Sequence, residues 1–268
     1  MYKNRLCKRE VSLLSFFCMI LPNIITIIGN AYELYRKQTV LNRITLWTFF
    51  PAMWLSTALE SVFSTFFTGA ILFPLTLVTS AVIIVIVTFG QAGTLIIAKR
   101  VLGHPAGRSR TSLRQVCTSA RGFIIPLLLT GILRSCFSIL WGLLLIIPGI
   151  IYALRTFFFD IIIITEKKNY RAALKESIVI VKGHTWSILI YVIGIQILFF
   201  LPVYLLTYLI NHVIPQGTFL SVFVHGIDSL LIAYAMMFEL LTKTVFIKTL
   251  RATPIQTIHP PEIHQVQH

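Results

Sequence analysis

The sequence predicts an all-α fold: a polytopic transmembrane helix bundle of about six spans, with an amphipathic helix on the cytoplasmic interface. Three observations carry this reading. The 268 residues are 56% hydrophobic and 12% charged, with a mean hydropathy of +0.85, whereas soluble domains are roughly 25% charged. Apolar runs of span length succeed one another from residue 46 onward. The 23 Lys and Arg residues, against 9 Asp and Glu, gather in the short segments between those runs. So little charge cannot coat a water-soluble globule, and a disordered chain would be polar. A net charge of +14 also suits nucleic acid. Its division among loops between apolar runs is topogenic placement instead, so no nucleic-acid partner is expected.

Residues 1–45 form a basic N-terminus around an apolar stretch, Val11 to Ile28. The stretch ends in Gly29-Asn30-Ala31, the outline of a signal-peptide cut. Cleavage there would export Arg36, Lys37 and Arg43, against their charge. A retained interfacial or re-entrant helix is therefore expected. Residues 46–250 form the transmembrane domain, with long apolar regions at Leu46–Ala70, Leu75–Ala98, Phe123–Thr165, Trp186–Ile210 and Thr218–Leu241. The third is too long for one pass, and Pro148-Gly149 is the expected helix break within it, giving passes over 123–147 and 150–165.

That division also satisfies charge. Residues 32–45, 99–122, 166–185 and the segment with Lys243, Lys248 and Arg251 then all lie on one side, the cytoplasmic one. The connections near Phe73-Pro74 and Asn211–Gly217 contain no Lys or Arg. Within 166–185, Tyr170, Ala173, Leu174, Ile178 and Val181 recur at helical spacing, with Gly183 as the stop. This is the interfacial helix, either a connector docked on the bundle or a surface for lipid or a partner. The tail, 251–268, has Pro254, Pro260, Pro261 and three His, and reads as disordered with no metal site.

Charges within apolar spans are expensive and mark structure or function. The candidates for a polar network are Glu60, Arg134, Arg155, Asp160, His225 and Asp228. Asp160 could pair with Arg134 across the helix break or join Arg155, and His225 and Asp228 share a helix face at i, i+3. Interhelical pairing is the expected role, with a proton relay or a hydrated transport path as the alternatives. Gly90 and Gly93 permit close helix approach. Cys18 and Cys136 read as small apolar side chains, with no C-x-x-C pair for zinc or redox work. No Gly-rich phosphate loop, H-E-x-x-H or G-x-S-x-G is present. No cofactor is implied and no enzymatic activity is expected.

The stretch from Leu143 to Trp186 contains Pro148-Gly149-Ile150, Ala153-Leu154-Arg155, Asp160, Ala173-Leu174 followed by Ser177, and Lys182-Gly183 followed by Trp186. It resembles an uncharacterised bacterial integral membrane family, the one that includes the membrane domain attached to some glycerophosphodiester phosphodiesterases. The resemblance implies a multi-helix domain of a bacterial cytoplasmic (inner) membrane. Phosphodiester chemistry in such proteins belongs to a separate soluble barrel, so it does not transfer to these residues. The expected role is structural or accessory in the envelope, with transport or lipid handling as the alternative and an intramembrane enzyme as the second. The bilayer is the expected partner, through anionic headgroups, together with a membrane protein partner or a second copy of the chain.

Overall fold

Apolar runs this long leave the backbone no partner but itself, and helix is the form that satisfies every amide within one segment. The computed structural model describes residues 24–66, 71–103, 112–213 and 219–252. In chain order these form α1 (24–37), α2 (Thr39–Ile44), a π-helical stretch (Thr45–Phe49), α3 (Phe50–Phe66), α4 (Leu72–Gly103), α5 (Leu113–Leu144), α6 (Ile146–Arg155), α7 (Phe159–Glu166), α8 (Tyr170–Val181), α9 (Thr185–Ile195), a second π-helical stretch (Gln196–Phe200), α10 (Leu201–Val213) and α11 (Phe219–Ala252). The protein is an all-α polytopic bundle.

Among the described residues, five helical segments are long and apolar enough to cross a membrane: Leu72–Gly103, Leu113–Leu144, Ile146–Glu166, Thr185–Leu209 and Val224–Ala252. The predicted first span, Leu46–Ala70, is not among them, and its residues 67–70 lie outside the described residues. Its helix is present as α3, packed on α4 and α11, but Thr48, Ser56, Thr57 and Glu60 dilute its apolar character. Through residue 45, α2, the π-helical stretch and α3 run on without a break. Ile27, Ala31, Leu34 and Leu41 are buried in the same core as Ile97 and Met237. Gly29-Asn30-Ala31, read as the outline of a cut, lies inside α1 with Ala31 fully buried. Residues 1–23 and the tail beyond Ala252 lie outside the described residues.

Both π-helical stretches end two residues before a proline, Phe49 before Pro51 and Phe200 before Pro202. A proline ring collides with the carbonyl four residues back and offers it no N–H. A wider turn there relieves both conflicts without ending the helix. The same succession thus occurs twice: an amphipathic helix, a proline-relieved helix and a long helix, as α1 to α4 and again as α8 to α11.

The helix break in the third apolar region falls at Leu145, whose φ of −158° and ψ of 126° are extended. Pro148 was the expected breaker, but it sits in the first turn of α6, where the missing amide would have no helical acceptor anyway. Gly149 serves packing instead. A Cβ on it would lie 2.8 Å from the Gly142 Cα, so α5 and α6 touch backbone to backbone. Phe137 against Tyr152 and Arg134 against Thr156 extend this antiparallel hairpin inward. At its tip Leu143, Leu145 and Ile146 are largely exposed, as suits contact with lipid. Gly90 and Gly93 act as the sequence suggests: Cβ atoms there would meet Thr48 Oγ1 at 2.5 Å and Ile44 Cδ1 at 3.3 Å. Cys136 departs from expectation, being exposed on the outer face of α5 rather than in the core.

Candidate functional site

Helices α6 and α7 are separated by a sharp bend, with Thr156 and Phe158 both near φ −96° and ψ 14°. Such a bend strands backbone amides. Ser177 of α8 repairs it: its Oγ accepts from the Phe158 N–H at 3.2 Å and donates to the Arg155 carbonyl at 2.9 Å. Thr130 of α5 accepts the Tyr170 N–H at 3.1 Å. Helix α8 is thereby docked on the bundle through Ala173, Leu174, Ser177 and Val181, and Gly183 ends the turn after it with φ +88°. The predicted helix is present, but its buried face is shifted. Tyr170 is exposed and Ile178 half-buried, while Ser177, which the apolar spacing passes over, is fully buried. Replacing Ser177 by Ala is expected to cost about 1–3 kcal/mol, the penalty of an unpaired buried amide, measured as thermal stability in detergent. An unchanged melting temperature would mean that Ser177 does not hold the bend.

The bend places Asp160 at the first turn of α7, only 6% exposed. Its Oδ1 accepts from the Ile161 N–H at 2.9 Å, and its Oδ2 forms an ion pair with Lys243 of α11 at 2.8 Å. Lys243 is 7% exposed, with its ammonium 4.2 Å from the centre of the Phe157 ring. Lys243 was expected in a cytoplasmic basic segment; it lies instead inside α11, because that helix runs on to Ala252. Its signal in the sequence was its place in Leu240-Leu241-Thr242-Lys243-Thr244-Val245-Phe246, an apolar frame.

Arg134 does not make the expected ion pair. It donates to Thr156 Oγ1 at 3.1 Å and to the Ala153 carbonyl at 3.0 Å, over the Phe159 ring. Arg155 and Asp160 likewise remain apart. Arg155 is exposed and lines an apolar groove of about 440 Å³ between α6 and α9, with Leu154, Trp186 and Leu189. Asp228 accepts a hydrogen bond from Thr207 of α10. Among the described residues no hydrogen bond joins His225 to Asp228, and the Glu60 side chain lies outside the description. The six candidates are therefore not one network; two interhelical contacts, Asp160–Lys243 and Asp228–Thr207, and one arginine clasp replace it.

The helix ends that carry the basic residues converge. Lys99 of α4 donates to the Ile164 and Thr165 carbonyls that end α7, at 2.9 and 3.0 Å. Lys248 donates to the Leu102 carbonyl. Arg251 and Lys168 both pair with Glu166, and Lys168 also with Glu176 at 2.9 Å. The Glu176 and Glu166 carboxylates hold the Lys168 ammonium above its ordinary range. No group of three or more His, Cys, Asp or Glu able to hold a metal occurs among the described residues. No family model matches the chain, and no curated protein or solved structure does either.

Proposed function

We propose that the chain is a structural or accessory protein of a bacterial cytoplasmic membrane, with its basic helix ends and both termini inside. The observation that supports this is the internal use of the intramembrane charges. Asp160 meets Lys243, Arg134 meets Thr156 and a carbonyl, and Asp228 meets Thr207. A carrier or an intramembrane enzyme needs such groups turned toward a passage; here the central pair is almost wholly buried. The likeness of residues 143–186 to a bacterial membrane domain whose catalysis lies elsewhere points the same way. Partners consistent with this role are the bilayer itself and a membrane protein or second copy of the chain.

Complementation of a deletion strain under envelope stress tests the role. An Asp160→Leu/Lys243→Met variant, neutral and similar in bulk, should insert and complement like the parent chain. Normal insertion with failed complementation would move the pair into a transport or catalytic path. Orientation is tested by impermeant thiol labelling of intact cells on a cysteine-free background. Phe73→Cys, at the uncharged end, should label, and Arg171→Cys, on α8, should not. Labelling at 171 would reverse the topology.

A further inference from the structure

Of the basic residues near the converging helix ends, Lys99, Arg100, Lys168, Lys248 and Arg251 are held by carbonyls, carboxylates or Gln115. Among those that are not, Arg43 of α2 and Arg114 of α5 stand out because both line one cleft of about 320 Å³; each is exposed and meets no partner among the described residues. Below them the cleft is apolar, walled by Ile44, Phe89 and Val116. Gly93 gives it depth, since a Cβ there would touch Ile44 at 3.3 Å and Val116 at 3.5 Å. Trp47 also lines it, one helical turn after Arg43 and 79% exposed, in the manner of an indole at the membrane interface.

We propose that this cleft binds an anionic phospholipid, with the phosphodiester between Arg43 and Arg114 and an acyl chain along the apolar wall. A guanidinium matches a phosphate by paired, charge-assisted N–H donors. Two of them left without internal partners, above an apolar slot, complement a ligand that is anionic at one end and hydrocarbon at the other. A zwitterionic lipid offers the same phosphodiester and fits the wall, but it brings a quaternary ammonium up to two guanidinium groups; a free phosphate satisfies the charge and leaves the wall bare. This goes beyond the accessory role above and stands independently of it, because it rests on residues that role does not use.

The test is quenching of Trp47 by brominated lipid. Trp54, Trp141 and Trp186 are replaced by Phe, and the full chain is reconstituted in phosphatidylcholine vesicles containing brominated phosphatidylglycerol or brominated phosphatidylcholine. Phosphatidylglycerol is expected to be preferred by about 30-fold at low salt, two basic side chains at the membrane surface acting together. The R43Q/R114Q variant should quench equally with both lipids, while R171Q/K175Q, with the same loss of charge from exposed positions on α8, should keep the preference. Equal quenching in the parent protein would overturn the proposal. So would an equal loss in both variants, which would reduce the preference to general attraction by the basic end. Inorganic phosphate at matched ionic strength should leave quenching unchanged; displacement of the lipid by phosphate would assign the cleft to a free anion.

Discussion

Asp160→Asn is expected to destabilise the protein by about 3–5 kcal/mol, the range seen when one member of a buried ion pair is removed. The substitution keeps the shape of the side chain and removes only its charge. Lys243 then retains the Phe157 ring, 4.2 Å from its ammonium, but no counter-charge. Thermal unfolding in detergent reads the effect. Arg155→Gln added to Asp160→Asn should change nothing further, because Arg155 is exposed and takes no part in the pair. A rescue by Arg155→Gln would mean that the two residues do share one network.

The second large effect is expected at Gly149. Its missing Cβ would stand 2.8 Å from the Gly142 Cα and 2.9 Å from the Gly142 nitrogen. Both neighbours are backbone, so neither can swing aside. Gly149→Ala should therefore push α6 off α5 and cost at least the about 1–3 kcal/mol typical of overpacking, with Gly149→Leu preventing stable insertion. The contact is asymmetric: a Cβ on Gly142 meets nothing within 4 Å. Gly142→Ala should be tolerated at the same melting temperature. Equal losses at the two glycines would mean that the hairpin is packed differently.

Hydropathy and charge alternation carried most of the fold, because a bilayer leaves a chain few alternatives. The amphipathic helix and its stop at Gly183 were legible for the same reason: spacing of 3.6 and a positive φ both leave local marks. What was not legible depends on partners distant in sequence. Lys243 reads as one more basic residue near the end of the chain; its burial follows only when α11 lies against α7, 83 residues away. Ser177 is a polar residue on an apolar face until the bend at Thr156–Phe158 exposes an amide to it. At the separate break between α5 and α6, the sequence points to Pro148 because it is proline, yet an amide-free residue fits a first turn, and Leu145 yields instead. Arg155 and Asp160, five residues apart, straddle the bend and so separate, one outward and one inward.

The claim that the central charges hold the bundle by pairing with each other is tested most directly by a double-mutant cycle at Asp160 and Lys243. Stability in detergent is measured for the parent, Asp160→Leu, Lys243→Met and the double variant. Pairing predicts that the double variant is more stable than either single one, because each single substitution strands a charge and the double strands none. Strictly additive losses would contradict it.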